Sequence, residues 1–170
     1  MPPSPNAISW MFLHNTWANL SLLDFCESLS DQQLDASAAG GYGSIRDTLL
    51  HIIAGEVDDI NLATGKSPQQ PLPESFPGIQ ALKEAEQWVG EEWQKLAAIV
   101  QPDTIVRVTR PDEPIYEYPL AGLMVAAINH ATEHRTQIAT ILTQLGLQPP
   151  NLSGFKYMRE IGVFHEMPAG

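Results

Sequence analysis

Apolar side chains recur at steps of three and four residues in four long segments of the chain, which is the spacing of one face of an α-helix. The predicted helices cover residues 8 to 29, 45 to 64, 78 to 100 and 120 to 145. The apolar face of the first helix is predicted to carry Trp10, Leu13, His14, Trp17, Leu20 and Ser21. Four amphipathic helices of this length predict an all-α four-helix bundle.

The residues between the helices indicate where each helix begins and ends. Ser44 followed by Asp47 resembles a capping box, which predicts the start of the second helix, and Gly65 predicts its end. Residues 66 to 77 include four prolines, too many for a helix or a central strand. This segment is therefore predicted to be an extended connection, long enough to cross one end of a bundle.

Between the third and fourth helices the pattern changes to an alternation of apolar and polar residues. Residues 104 to 118 alternate on both sides of the Pro-Asp-Glu-Pro sequence at 111 to 114, which predicts a short β-hairpin before the last helix. With 170 residues, of which 44% are hydrophobic and 17% charged, the chain fits one globular domain. We therefore predict a single domain over residues 1 to 170.

Composition argues against several classes of partner. Nine basic and twenty acidic residues give a net charge of −11, which repels phosphate backbones and anionic lipid surfaces, so we expect neither nucleic acid nor a membrane as a partner. The single cysteine, Cys26, excludes an internal disulfide, and residues 1 to 26 lack the basic residues of a secretory signal. We expect a cytoplasmic protein and interpret Cys26 as a core residue.

The strongest chemical signal is Asn-His-Ala-Thr-Glu-His-Arg-Thr-Gln at residues 129 to 137, within the fourth predicted helix. Residues four apart on a helix are neighbours, so the imidazoles of His130 and His134 can approach one metal ion together. Both share a face with Ala127 and Ile138, which places them on the core side. Because burying two unpartnered titratable rings is costly and one ion partners both, we predict that they form half of a metal site.

The same segment also matches the His-x-x-Glu-His pattern of a class of metallopeptidases, in which the glutamate is the general base. Those enzymes take their third ligand from a glutamate far downstream in a much larger chain, and here only 170 − 134 = 36 residues follow His134. Glu133 also lies about 100° around the helix from His134. We therefore interpret Glu133 as an exposed acid, and a metal-assisted hydrolase as the weakest hypothesis.

The third ligand must come from another part of the chain, and spacing does not decide which residue supplies it. The candidates are His51 on the second helix, His14 on the first and His165 near the C-terminus. His14 shares its face with two tryptophans. His51 falls away from the aliphatic stripe of its helix, on a face that is either exposed to solvent or lines a polar cavity. The residues alone leave all three candidates open.

Three segments resemble the motif regions of the DinB/YfiT-like family of metalloenzymes: residues 13 to 19, 44 to 56 and 129 to 137. The Asn-His-x-x-x-His-Arg-x-Gln pattern of the last segment is the most specific, and residues 152 to 157 resemble the closing segment of the family. The resemblance implies a bundle in up-down-down-up order. It also implies a three-histidine site in which His51 joins His130 and His134, and it moves His14 to the cavity wall.

The resemblance also implies a function. Three neutral imidazoles leave at least one coordination position open for water or substrate, and imidazole suits Zn, Ni, Fe or Cu. Relatives include transferases and isomerases that use low-molecular-weight bacterial thiols, and family members often pair. We therefore expect a divalent transition metal (Zn, Ni or Fe), a small-molecule substrate, a thiol cosubstrate and a homodimer. The leading hypothesis is a metal-dependent S-transferase, and the alternative is a non-catalytic metal- or ligand-binding module.

Overall fold

A computed structural model describes residues 5–69, 71–109 and 114–164, which form six α-helices and two β-strands. In chain order these are α1 (Ala7–Cys26), α2 (Asp31–Leu34), α3 (Ile45–Thr64), α4 (Ile79–Ile99), β1 (Ile105–Val108), β2 (Tyr116–Pro119), α5 (Leu120–Gln144) and α6 (Gly154–Glu160). The four long helices are the four that the apolar spacing predicts. The short helices α2 and α6 were not predicted.

Helix ends follow the local capping chemistry. The Ser44 side chain accepts a hydrogen bond from the Asp47 backbone N–H while the Asp47 carboxylate accepts from the Ser44 N–H, so the predicted capping box is confirmed. Gly65 ends α3 with φ of 71°, a left-handed conformation that favours glycine. The first helix ends at Cys26 and not at residue 29, and a second capping box at Ser30 starts α2.

The long helices run up, down, down and up, as predicted. Contacts between α1 and α4 pair early with late residues: the Asn6 side chain donates to the Ala97 carbonyl, and Lys83 bridges to Asp24. Helices α3 and α5 are antiparallel as well, because His51 meets His134 and Gly55 meets His130. Consecutive α3 and α4 are parallel, because the early residues of both helices share one hydrophobic cluster and their late residues share the other. The long proline-rich connection must therefore return the chain along the bundle.

The core consists of two hydrophobic clusters, one around Leu23, Ile53 and Ile138 and one around Phe12 and Trp93. The predicted apolar face of α1 is wrong. Its core side carries Ser9, Phe12, Asn15, Ala18, Asn19, Leu22, Leu23 and Cys26, whereas the predicted face is only partly buried. Two asparagines lie in the buried face because they have buried hydrogen-bond partners on other helices, and this masks the apolar spacing.

The predicted β-hairpin is present, with β1 and β2 antiparallel and Ile105 opposite Pro119. Its predicted turn at residues 111 to 114 lies largely outside the described residues. Leu120 follows β2 directly and donates its backbone N–H to the Thr104 carbonyl, so the hairpin is joined to the start of α5. In the described part of the chain, no helix is both long and apolar enough to cross a membrane.

Candidate metal centre

His51 in the first half of α3 comes together with His130 and His134 in the middle of α5. Each offers one ring nitrogen, and these three atoms all lie within 4.8 Å of one another. The ring centroids are 4.7 Å apart for His51 and His130, 4.7 Å for His51 and His134, and 4.6 Å for His130 and His134. The antiparallel packing of α3 on α5 therefore completes the pair that the sequence of α5 predicts.

The closest approach is 3.0 Å, between Nε2 of His51 and Nε2 of His130. Two nitrogens bound to one tetrahedral zinc ion at about 2.0–2.1 Å stand about 3.4 Å apart, so small ring movements suffice for joint coordination. All three rings are half-buried and meet nearly edge to face, at interplanar angles of 74°, 87° and 78°. Three imidazole nitrogens are a donor set that fits a borderline-soft divalent metal.

Gly55 allows His130 to reach this position. A Cβ atom at residue 55 would lie 3.1 Å from Cε1 and 3.5 Å from Nδ1 of His130. The first distance is shorter than an ordinary van der Waals contact between carbon atoms. A glycine one turn after His51 is therefore part of the geometry of the site, because the His130 ring packs directly against the α3 backbone there.

Gln137 fixes the orientation of the third imidazole. Its Oε1 atom accepts hydrogen bonds from the Tyr42 backbone N–H and from Nδ1 of His134, both at 3.0 Å. Because a backbone N–H can only donate, the atom facing it must be the amide oxygen, and Nδ1 of His134 must then be the protonated nitrogen. This leaves the Nε2 lone pair of His134 free to bind a metal, which is the usual arrangement of a ligating histidine.

Tyr42 forms an aromatic wall beside the cluster. Its ring stacks on His51 with centroids 3.8 Å apart and planes 10° apart, and it meets the edge of His134 at 5.4 Å. About half of the Tyr42 side chain is exposed, at 54%. The glycine-rich segment before α3 supplies this residue, with Gly40 at φ of 82°. One face of the Tyr42 ring therefore covers His51, and the other faces solvent.

Electrostatics favour neutral imidazoles. Burial lowers the pKa of His51 below its ordinary 6.5, and the neighbouring His130 and His134 lower it further. Burial also lowers the pKa of His130, with His134 adding to the effect and the Glu133 carboxylate opposing it. Because a metal binds the neutral ring, the lowered pKa values of His51 and His130 favour metal binding by these two residues.

The other candidate residues lie elsewhere. Nε2 of His14 is 2.8 Å from the Leu152 carbonyl, and its ring packs against Trp17 and Tyr157 on the side of α1 that faces α6. The structure therefore places His14 beside α6 and not on the wall of the three-histidine cluster. Glu133 is exposed, as interpreted from the sequence. His165 lies outside the described residues.

Three residues that contribute to the site were not predicted from the sequence: Tyr42, Gly55 and Gln137. The glycine-rich turn signalled a tight loop before the second helix, but not that its tyrosine would stack on His51. Gly55 is a glycine inside a helix, which is a signal of close approach by another group. Gln137 stands three residues after His134, which is the spacing of a side-chain contact on one helix.

A bundle of four long helices with three imidazoles between two of them describes a class of helical proteins able to hold a metal ion through histidine. The family model described as "DinB family" matches residues 4–163 of the chain. The match covers nearly all of the sequence, including α1, the cluster on α3 and α5, and α6. The chain belongs to the DinB family.

Similarity to a solved structure agrees with the family assignment. A DinB-like protein from Bacillus cereus ATCC 10987 superposes with a TM-score of 0.56 and 21% sequence identity. The alignment covers 82% of this chain and 91% of that chain. At this identity the likeness supports the fold. A search of curated proteins finds no match.

Proposed function

We propose that this protein is a metal-dependent enzyme that holds one divalent transition metal through His51, His130 and His134. The observation that supports this most is the meeting of three half-buried imidazoles from two helices, with their ring nitrogens within 4.8 Å of one another. Zn, Ni and Fe all suit such ligands. Three protein ligands leave a coordination position for substrate, whereas a purely structural zinc site normally has four.

The proposed reaction is the transfer of a low-molecular-weight thiol to a small electrophile. A bound ion with three neutral ligands would supply positive charge that stabilises a thiolate near neutral pH. In the overall reaction the sulfur bonds to an electrophilic carbon, the bond from that carbon to its leaving group breaks with its electron pair, and the thiol proton passes to solvent. The resemblance to thiol-dependent family members supports this choice of nucleophile.

The chain itself offers no competing thiol. Cys26 is fully buried in the core cluster between α1 and the neighbouring helices, and burial raises its pKa to about 12. A thiol with such a pKa is not ionised at neutral pH. Its burial also keeps substrate from reaching it. The reacting sulfur must then come from a cosubstrate. We place this reaction in the cytoplasm, where small thiols are kept reduced.

The contacts of the residues around the three histidines indicate how each residue supports the site. Gln137 orients His134, Gly55 admits His130, and the Tyr42 ring shields one face of His51. The Tyr42 side chain is itself about half exposed beside the cluster. We expect small substrates to enter past this ring, because an aromatic surface binds apolar groups without excluding polar ones.

Metal analysis tests the first half of the proposal. Protein purified without an affinity tag is expected to contain one transition metal per chain, and the double variant His130→Ala/His134→Ala is expected to contain none. His51→Ala should weaken binding strongly, while His14→Ala is the matched control, because His14 contacts Leu152 and not the cluster. Stoichiometric metal in the double variant would show that the assignment is wrong.

A thiol panel tests the second half. Metal-replete protein is assayed with bacillithiol, mycothiol, glutathione, cysteine or coenzyme A and a set of reactive electrophiles. We expect a rate with at least one thiol that disappears with a chelator and in the His130→Ala variant. Turnover with water alone would instead favour a hydrolase. No rate above background, with metal bound, would favour a non-catalytic module.

A further inference from the structure

A layer of buried polar groups crosses the bundle between its two hydrophobic clusters. We call it the buried polar network; its members are Asn15 and Asn19 on α1, Glu56 on α3, Glu86 and Trp93 on α4, and Arg135 on α5. None of these six residues is more than 6% exposed. All four long helices contribute, so the network connects every helix of the bundle through hydrogen bonds.

Arg135 is the donor at the α5 side. Its Nη1 atom donates to Oδ1 of Asn15 at 2.7 Å and to Oδ1 of Asn19 at 2.6 Å, and its Nη2 atom donates to the Thr132 hydroxyl at 2.9 Å. The two bonds from Nη1 join α5 to α1, while the bond to Thr132 lies within α5 and orients the guanidinium. Because a guanidinium holds its donors in one rigid plane, the oriented group restricts the rotation and height of α5 relative to α1. Such constraints act on the helix turn that carries His134.

Glu56 is the acceptor at the α3 side. Its Oε1 atom accepts from Nδ2 of Asn15 and Nδ2 of Asn19, both at 2.9 Å, and its Oε2 atom accepts from the Trp93 indole N–H at 3.1 Å. The two asparagine amides therefore join Arg135 to Glu56, with oxygen toward the guanidinium and nitrogen toward the carboxylate. This chain of bonds fixes α3 relative to α5 through α1.

The network is directly attached to the histidine cluster. Arg135 follows His134 in the chain, and Glu56 follows Gly55, against which the His130 ring packs. Glu86 completes the layer, with Oε1 accepting from Asn19 at 3.1 Å. A buried charged layer is weak evidence for stability, because its charges lose their hydration on burial. Its hydrogen bonds are satisfied in one register of the helices, which is how a buried polar group specifies helix position.

We propose that the buried polar network is a positioning device for the metal centre, with Arg135 and Glu56 as positioning residues. It sets the register of α5 against α3 so that His130 and His134 meet His51 at coordinating distance. This inference rests on the proposed metal binding by these histidines. This positioning role at the metal centre is separate from any contribution of the network to the stability of the fold.

The test replaces the two charged residues together. In Arg135→Met/Glu56→Gln one positive and one negative charge are removed at similar volume, and Glu86, whose pKa burial raises well above its ordinary value, remains as the buried acid of the layer. The bundle is expected to fold, because burial favours the uncharged form of that acid. We expect its Zn²⁺ affinity, measured by chelator competition, to fall about 10- to 100-fold, as for other outer-sphere partners of metal ligands. The visible spectrum of the Co²⁺-loaded protein should change as well, because it reports ligand geometry. Thr132→Val, at an exposed position, should shift both readouts less and in the same direction.

Two controls separate positioning from general destabilisation. Gly90→Ala introduces a Cβ 2.7 Å from the Thr16 side chain, between α1 and α4, and Glu92→Gln removes a carboxylate that pairs with Lys66 and Lys95. The contacts described for these two residues are with Thr16 on α1, with Lys95 on α4 and with Lys66 after α3. We expect both to lower the thermal midpoint while the Co²⁺ spectrum stays that of the wild type. The proposal would be overturned if the double variant kept the wild-type spectrum and affinity. It would also be overturned if the two controls changed the spectrum in proportion to the stability that they lose.

The same experiment distinguishes failure of the proposed function. If wild-type protein does not bind Co²⁺ through histidine, the metal centre itself is wrong, whatever the variants do. If the wild type binds one Co²⁺ per chain and the double variant folds with an unchanged centre, metal binding stands and the positioning role is wrong. Should the double variant fail to fold, Thr132→Val decides, since an unchanged spectrum and affinity there would contradict positioning through Arg135.

Discussion

At the scale of single residues, the candidate metal centre depends on small and polar neighbours as much as on the three histidines. Gly55 leaves space for His130, and Gln137 determines which nitrogen of His134 carries the proton. Neither residue would bind the metal itself. Their effect is on where the ligand atoms stand, and supporting contacts of this kind commonly decide whether a site is competent.

Gly55→Ala should separate stability from metal binding. Alanine favours a helix over glycine by up to about 1 kcal/mol, so the metal-free protein should be unchanged or more stable. The new Cβ would displace the His130 ring by a few tenths of an ångström, and we expect Zn²⁺ affinity to fall about 3- to 10-fold. Gly122→Ala on α5 is the control, because among the described residues only Pro119 lies within 4 Å of the new Cβ, at 3.8 Å. Equal affinity in both variants would contradict the role of Gly55.

Gln137→Leu should weaken metal binding by removing the acceptor of His134 and of the Tyr42 N–H. We expect a loss of about 10- to 100-fold in Zn²⁺ affinity, measured by chelator competition. Gln137→Glu keeps an acceptor oxygen and should retain most of the affinity. Thr140→Val removes an exposed hydroxyl whose one hydrogen bond within the described part of the chain is to the Thr136 carbonyl, so it serves as a control. Wild-type affinity in Gln137→Leu would show that the hydrogen bond does not matter.

At the scale of elements, α3 serves two purposes on adjacent faces. One face carries His51 and Gly55 toward α5, and the next carries Glu56 into the buried polar network. Asp59 lies close to this buried acid. Burial first, then the charges of Glu56 and Asp58, raise the pKa of Asp59 from 3.8 to about 7. The helix therefore holds an acidic group in an environment that disfavours its charge.

Asp59→Asn should stabilise the protein at alkaline pH. A folded-state pKa above the unfolded value stabilises the fold fully below pH 3.8, and this contribution is lost as the pH rises through about 7. At pH 8 the variant should gain about 1–2 kcal/mol in urea unfolding, after discounting for partial exposure. The gain should shrink toward pH 5. Asp103→Asn, at an exposed loop position, is the control, and a pH-independent difference for Asp59→Asn would contradict this account.

At the scale of the whole molecule, the described surface keeps substantial apolar area near α6. Four apolar side chains are exposed there: Phe155 (66%), Ile161 (42%), Val163 (51%) and Phe164 (37%). Tyr157 on the same helix lines a groove of about 750 Å³ between α1 and α4, together with Leu13, Trp17 and Leu20. Apolar area of this kind supports the prediction of a homodimer, which no observation has yet tested.

Sedimentation equilibrium at micromolar concentration checks the homodimer. We expect a mass of twice 18.7 kDa. If α6 is in the interface, Phe155→Glu should shift the equilibrium toward the single chain without changing the circular dichroism spectrum, because its side chain is exposed in the monomer. A wild-type mass of one chain would contradict the prediction.

The sequence by itself determined the features that depend on neighbours along the chain. The capping box at Ser44, the stop at Gly65 and the four-residue spacing of His130 and His134 are local, so they predicted α3 and half of the metal centre. The family resemblance added His51 and the order of the helices. These parts of the fold and site follow from periodicity and capping, which a single sequence displays.

Only the tertiary structure decided which side of α1 is buried. Asn15 and Asn19 look like surface residues until Glu56 and Arg135, which are far away in the chain, provide their hydrogen bonds. The same holds for Tyr42, whose stacking on His51 depends on how the loop folds over α3. Burial of polar groups requires partners from other helices, and the sequence does not show which residues folding brings together.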